Sequence, residues 1–439
     1  MITTIIGKTF LKAYNEQFGK DYSAKEFFVK EYFELFFNHP KYMQWVTNSP
    51  FVQMKKGQKP ELLSSDERLE KLMNLHEKVS GEVADASFAI GYPASESGDF
   101  ASTSGLVSDI VTIADEEDIY FSWIGSGLGI GVAGGYNLLI DDATILMEIY
   151  EGWRHYRKYL NDPTLDKLRG NQINTWNGQW LTFKLGNDFV KDFDFTRLHT
   201  QQIFSITDKV MEINTVNWSN LFFSLSNLYP NGNVIAYVYS FGQTNKTVGF
   251  IPLYLRSGSR LKDIWRQLYG NPERFNSKEF QSLFGMHIKR ACEIGSIGLH
   301  ALRPEGLKKY MDEAKNISFK KEEDTIIYKS YKTWLIAMMS RNKEEITDFT
   351  ENLAELILRF RKGASGNDRK NLIEQRLFGG KTTKKVFLDA LTEMVAGVEG
   401  EDLERLKELR NDIHLMTNEE FGYFNTLLKF DYAYLEKNS

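Results

Sequence analysis

Apolar positions along the 439-residue chain change their spacing several times, and each change marks an element. Over residues 8–80 the period is helical. Ser23-Ala24-Lys25-Glu26 has the form of a capping box, in which a serine hydroxyl and a glutamate satisfy each other's orphan amides. Phe27, Phe28, Tyr32, Leu35 and Phe36 follow at helical spacing until Asn38-His39-Pro40 stops the run. Trp45-Val46-Thr47-Asn48-Ser49-Pro50-Phe51 reads as an anchored loop, and a charged helix spans about Ser65 to Val79 after the lysine-rich turn 55–59. Residues 91–108 are rich in Ser, Gly, Ala and Thr and read as a surface loop. Residues 110–124 alternate toward strand around the acidic break 115–118, so that Ile119 opens an aromatic strand. Ile145, Ile149, Trp153, Tyr156 and Leu160 line one face of an amphipathic helix from Asp142 to Leu160.

From Gln179 to Leu255 the pattern is strand-rich. Residues 233–241 and 247–255 flank Gly242-Gln243-Thr244-Asn245-Lys246 as a β-hairpin. Pro252 has no amide hydrogen, which puts its strand at an edge or at its end. Beyond Ser259 helix dominates, with loops at 363–368 and 379–380. The expected fold class is α+β: a mixed body with glycine-rich loops and antiparallel strands over 1–305, then an all-α helical bundle over 306–439.

Composition sharpens this in two places. Aromatic residues make up 14% of the chain, and most belong in a core. A net charge of -5 counts against a surface coated in phosphate contacts, while leaving room for local basic grooves. Cys292 is the single cysteine, which excludes an intrachain disulfide and a cysteine-rich zinc site and suits a reducing compartment. No run approaches the roughly 18–20 apolar residues of a membrane span, and residues 1–8 lack the features of a signal peptide. A cytoplasmic protein without membrane contact is the expectation.

Candidate chemistry centres on residues 119–180. Glycine occupies 125, 127, 129, 131, 134 and 135, where backbone can pass close to a partner or take positive φ. Gly129-Ile130-Gly131-Val132-Ala133-Gly134 has the letters of a dinucleotide fingerprint, but Tyr136–Ile140 then read as strand where that motif needs a helix. A glycine-rich hairpin or close-approach surface fits better. Gly170-Asn171-Gln172-Ile173-Asn174-Thr175-Trp176-Asn177-Gly178-Gln179-Trp180 interleaves carboxamides with tryptophans. Uncharged carboxamides donate and accept, so they can read base edges, bind sugars or tie loops together.

No nucleophile-and-base motif, zinc-protease motif or P-loop is present, and the seven histidines are scattered. The expectation is a chain that is not an enzyme and uses no cofactor or metal. Basic residues do cluster. Residues 359–385 carry nine basic side chains (Arg359, Arg361, Lys362, Arg369, Lys370, Arg376, Lys381, Lys384 and Lys385) against two acidic, a local +7. Residues 386–439 carry five against twelve, a local -7. A phosphate-tracking face and a plain solvated face are both open readings. Arg256, Arg260, Lys262, Arg266 and Arg274 form a second run interleaved with Trp265 and Tyr269, a composition suited to single strands.

In layout, the chain resembles the large subunit of type I CRISPR effector complexes (Cascade). The stretches that carry the likeness are Asn48–Val52, the glycine run 125–135, Asn171–Trp180 and the hairpin Tyr237–Pro252. The C-terminal bundle resembles the small subunit of those complexes. The resemblance implies a non-catalytic protein of antiviral defence that contacts the guide RNA end and inspects the motif flanking the DNA target. Its implied partners are guide RNA, double-stranded and displaced single-stranded DNA, other effector-complex subunits and a helicase-nuclease. Gly127, Gly129, Asn171, Gln172, Asn174 and Gln179 are the matching residue types for flank (PAM) recognition through the minor groove. Arg256, Arg260, Lys262, Arg359, Arg361, Lys362, Lys370 and Lys381 would hold nucleic-acid backbone. Some large subunits carry cysteine-ligated zinc, which this chain cannot. The rival readings are a nucleotide- or dinucleotide-binding enzyme using residues 125–135 and a structural interaction protein.

Overall fold

The protein is described here by a computed structural model covering residues 1–92, 114–186, 203–240, 246–270, 277–311, 313, 315–339, 347–363, 367–380 and 382–439. Most of the expected loop 91–108, the hairpin tip and Lys381 lie outside these residues. Helices and small antiparallel sheets make a mixed α+β fold with a helical C-terminal region. The chain divides into two compact units, Met1–Leu255 and Arg256–Ser439. The division falls N-terminal to the expected 305/306 boundary because the helix Arg256–Tyr269 packs on the helix Glu322–Met339 of the second unit.

In the first unit, α1 (Ile2–Phe18) leads to a helical stretch capped by Ser23 and Glu26, which form the expected capping box. A π turn at Phe28–Tyr32 interrupts that stretch. The charged helix α2 (Ser65–Gly81) has its own capping box, Ser64 with Glu67. The expected aromatic strand at 119 is a helix, α3 (Glu116–Gly127). Asp115 Oδ1 accepts from the Asp118 amide at 2.7 Å, and three acidic residues in the first turn complement the helix dipole. The helix is buried on nearly every side, so its apolar run shows neither period clearly.

Glycine lets α3 lie directly on α1. A Cβ on Gly7 would stand 2.1 Å from the Phe121 carbonyl oxygen, and one on Gly125 would stand 1.9 Å from that of Thr3. β1 (Ile130–Val132) and β2 (Tyr136–Ile140) then form a hairpin through Gly134 and Gly135, at φ 90 and 74. Asp142 caps α4 (Ala143–Asn161), and α5 (Ile173–Lys184) packs across β1 and α4.

The region after Gln179 is less strand-rich than expected. α5 runs on to Lys184, and a buried helix α6 (Trp218–Leu228) follows the short pair β3 (Phe204–Ile206) and β4 (Met211–Ile213). The expected hairpin is present as β5 (Val234–Ser240) and β6 (Lys246–Leu253). The main sheet has the order β1-β2-β5-β6, every pair antiparallel, with Pro252 on the edge strand as its missing amide requires. The aromatics are largely core. Trp153 packs within 6 Å, centroid to centroid, of Phe10, Tyr32, Phe36 and Tyr150.

The second unit begins with α7 (Arg256–Tyr269) and contains a small pair, β7 (Phe284–Met286) with β8 (Leu302–Pro304). Its bundle comprises α8 (Glu322–Met339), α9 (Thr347–Lys362), α10 (Lys384–Val395), α11 (Glu401–Leu415) and α12 (Asn418–Asn438). Ile357, Phe387, Met394, Leu409 and Leu428 are among its buried core residues. No described helix is long and apolar enough to cross a membrane.

Candidate nucleic-acid interface

The glycine run and the carboxamides do come together, but they meet in the interior. Gly127 and Gly129 are buried. A Cβ on Gly127 would stand 2.9 Å from the Tyr32 hydroxyl, and one on Gly129 2.3 Å from Asn174 Nδ2. Asn177 is fully buried and donates from Nδ2 to the carbonyls of Gly127 and Gly129, both at 2.8 Å. Gln172 Oε1 accepts from the Ile213 amide at 3.0 Å, and Gln179 Nε2 donates to the Asn214 carbonyl at 2.6 Å. Asn174 is half-buried and its sealed Nδ2 has no hydrogen-bond partner. Trp176 and Trp180 donate into the backbone of α4, at Gly152 and Glu148. Of the six residues expected at the DNA flank, Asn171 alone is exposed.

The reason lies in α5. Gly178 sits over the Gly131 carbonyl, where a Cβ would stand 2.2 Å away, so α5 approaches β1 at backbone contact. At that distance Asn177 reaches the carbonyls of Gly127 and Gly129 and satisfies two buried acceptors of the glycine run. The dinucleotide reading fails on the same geometry, since Gly129–Gly134 runs through a hairpin strand and no helix opens at its end.

The basic run in α7 separates by burial. Arg256 is exposed, Arg260 is half-buried, and Lys262 is 5% exposed. Burial, with the Arg266 charge second, pushes the Lys262 amine down to about 8. Burial, with Arg256 second, also lowers Arg260.

In the bundle the positive segment is answered by the negative one. Arg359 donates from Nη2 to both Asp402 carboxylate oxygens, at 2.9 and 3.1 Å, and reaches Glu355 at 3.9 Å. Arg361 meets Glu436, the Tyr432 hydroxyl at 2.8 Å and Glu374 at 3.8 Å. Lys370 lies 4.0 Å from Glu374, and Arg376 pairs with Glu393. Arg369 donates to the Phe360 carbonyl at 2.7 Å, and Lys384 to that of Met416 at 2.5 Å. Lys362 and Lys385 are exposed and make no ion pair or side-chain hydrogen bond among the described residues.

A surface that residue-by-residue reasoning did not single out lies on the β5–β6 ribbon. Ala236, Val238, Ile251 and Leu253 face the core; of the alternate positions, Ile235, Tyr237 and Phe250 lie on the opposite face, while Tyr239 brings its hydroxyl against Gly129. Most of that face is apolar or aromatic, with Thr247 at hydrogen-bond distance (3.2 Å) from the Tyr237 hydroxyl. Ile235 lies opposite Pro252 and Tyr237 opposite Phe250, with the two rings 5.2 Å apart. Ile235 is 60% exposed and Phe250 62%, with Val248 and Tyr254 also exposed beside them. The signal was present in the sequence: the outward set of this alternation carries Ile, Tyr, Val and Phe where a solvated ribbon carries polar residues. Among the described residues, no group of three His, Cys, Asp or Glu side chains is placed to hold a metal ion. Comparison of the chain with protein families, with curated proteins and with solved structures found no significant match.

Proposed function

We propose that the protein is a non-catalytic nucleic-acid-binding subunit of an RNA-guided DNA surveillance complex, and that an opened strand stacks on the outer face of the β5–β6 ribbon. The observation that carries this reading is the exposed Phe250 ring paired with the half-buried Tyr237 and flanked by Ile235 and Pro252. Rings held on a sheet offer flat area to any base at little ordering cost, and each such stack contributes about 1–3 kcal/mol. Recognition of that kind tolerates sequence, which suits a complex in which guide pairing supplies specificity. The residues of the two basic runs that are exposed and make no ion pair among the described residues (Arg256, Lys362 and Lys385) are the candidates for phosphate contact. Of the expected flank carboxamides, Asn171 alone is exposed, which makes it the candidate for a flank contact.

The test is fluorescence anisotropy of a labelled single-stranded oligonucleotide with the full chain. Tyr237→Ala and Phe250→Ala each weaken binding by roughly 5- to 150-fold, the equivalent of one stack. An unchanged affinity in the folded double variant rejects the stacking surface. The aliphatic members Ile235 and Val248 favour a second reading, in which the same face seats another protein subunit. In that case the double variant keeps its oligonucleotide affinity and fails to assemble.

A further inference from the structure

Seven of the eight tryptophans are 9% exposed or less, whereas Trp45 is 49% exposed. Its indole makes no hydrogen bond or ring contact among the described residues. A ring of that size left in water forgoes the burial that its seven counterparts obtain. The loop that carries it, residues 45–51, is anchored by Phe51 and not by Trp45. The Phe51 ring is fully buried and stacks on Phe37, with centroids 4.0 Å apart and planes 4° from parallel.

The backbone is fixed on both sides of Trp45. Before it, Met43 is buried, donates its amide to the Phe36 carbonyl at 3.0 Å and accepts from the Ile173 amide at 3.3 Å. Gln44 is buried too; it accepts from the Tyr32 hydroxyl at 2.7 Å and donates to Ser126 Oγ at 3.0 Å. After it, the Ser49 amide closes a turn on the Val46 carbonyl at 3.1 Å, and Asn48 takes φ 64 within that turn. Gln53 Nε2 ties back to the Asn48 carbonyl at 3.0 Å. Lys71 of α2 holds the Pro50 carbonyl at 3.3 Å and that of Gln53. A ring presented on backbone pinned in this way needs little further ordering when a ligand covers it.

Charge narrows the ligand. From Leu35 to Pro60 the chain has no acidic residue, while it carries Lys41, Lys55, Lys56 and Lys59. Lys41 is committed to the Asp166 carbonyl at 2.6 Å, and Lys55 lies 4.0 Å from Glu70. Lys56 and Lys59 are exposed and make no ion pair among the described residues. An apolar protein pocket would need only the ring, whereas a ring on a lysine-bearing segment without carboxylates suits a ligand with flat faces and negative charge. We propose that Trp45 is a nucleobase-stacking residue, distinct from the β5–β6 ribbon, and that Lys56 and Lys59 lend positive potential to the strand it holds. The proposal rests on the nucleic-acid reading above and adds a second point of contact on the first unit.

The test is acrylamide quenching of the tryptophan emission of the full chain, alone and with saturating oligothymidylate. Trp45→Phe removes the readily quenched component of the free chain, because the other tryptophans are buried. Oligothymidylate is expected to shield that component, and sodium polyphosphate, which has the charge and no bases, is expected not to. Trp45→Ala weakens oligothymidylate binding by roughly 5- to 150-fold, while Trp45→Phe, which keeps a ring, retains most of the affinity. Lys56→Glu with Lys59→Glu weakens binding at low salt; an affinity unmoved there overturns the part given to the lysines. Oligothymidylate that binds and leaves Trp45 as quenchable as before, or polyphosphate that shields it equally, overturns the stack and leaves the ribbon reading standing. Shielding that requires another subunit of the complex and no oligonucleotide makes Trp45 a protein contact and overturns it as well. Absence of any oligothymidylate binding overturns both readings. Shielding of Trp45 in a chain whose affinity ignores Tyr237→Ala and Phe250→Ala overturns the ribbon alone.

Discussion

Gly125→Ala is the sharpest available test of how the first unit is built. The added Cβ would stand 1.9 Å from the Thr3 carbonyl oxygen and 2.8 Å from its carbon. Comfortable contact begins at about 3.5 Å, so α1 and α3 must separate by roughly 1.5 Å at the crossing. The obstacle is main chain, and no rotamer change relieves it. Overpacking in a core costs about 1–3 kcal/mol, with backbone obstacles toward the upper end, while alanine's helix propensity returns up to about 1 kcal/mol. The net loss is roughly 2 kcal/mol, or about 4–8 °C in Tm for a unit of this size.

A graded series separates packing from any general effect of substitution. Gly178→Ala meets the Gly131 carbonyl at 2.2 Å and should cost as much as Gly125→Ala. Gly127→Ala meets the Tyr32 hydroxyl at 2.9 Å and the Trp153 ring at 3.1 Å, side chains that can yield a little, and should cost less. Gly81→Ala, at the end of α2, meets nothing within 4 Å and should lose nothing. Tryptophan fluorescence follows the first unit, which holds six of the eight tryptophans. A Gly125→Ala protein within about 0.5 kcal/mol of the parent would refute the close-approach account.

Two further predictions concern buried charge. Lys332 on α8 is held between Asp431 at 3.1 Å and Glu351 at 3.0 Å, and Tyr328 donates to the same Asp431 oxygen at 2.7 Å. Burial pushes the Asp431 carboxyl up; burial also works against the Lys332 charge, but the Asp431 and Glu351 carboxylates facing it hold its amine above the usual value. Asp431→Asn should cost about 3–5 kcal/mol in denaturant unfolding, and Lys332→Met with Asp431→Leu should recover much of it; a double loss equal to the two single losses added together rejects the coupling. Burial, then the Arg157 charge, hold His39 down at about 4. The folded state therefore binds fewer protons than the unfolded chain, whose histidine titrates near 6.5. This contribution is present above about pH 6.5 and is lost as pH falls toward 4. His39→Asn should flatten Tm against pH across that window, and an unchanged slope removes the assignment.

Local chemistry was legible in the sequence wherever its partner lies within a few residues. The Ser23–Glu26 capping box, the start of α4 at Asp142, the β5–β6 hairpin and Pro252 at the sheet edge all follow from neighbours in the chain. Long-range commitments were not legible. Asn177 reads as a free carboxamide until α5 is laid on the glycine run some fifty residues earlier. The helix Glu116–Gly127 reads as strand because it is buried nearly all round, which removes the polar stripe that reveals helical period. The ribbon face was legible in part, since its alternation was plain and only the burial of the opposite face tells which set is outward.

The same limit governs charge, and it changes how binding should respond to salt. A segment of +7 beside one of -7 suggests a strong cationic face when each is read alone. In the bundle the two are neighbours, and the arginines of α9 end on Asp402 of α11 and Glu436 of α12. Surface pairs of this kind contribute little stability, but they remove positive potential from the face that would otherwise attract phosphate. A protein that neutralises six to ten phosphates shows a steep fall of log K with log salt, about 0.9 per contact on duplex and about 0.7 on a single strand. A ribbon that binds through Tyr237 and Phe250, helped by a few exposed cations, should instead show a slope of only about one to two. Charge reversal at Lys362 should then lower that slope by less than about one. The same reversal at Arg361, already engaged with Glu436, should act mainly on bundle stability. A steep slope that the ribbon variants leave intact would mean that cations, and not stacked rings, carry the binding.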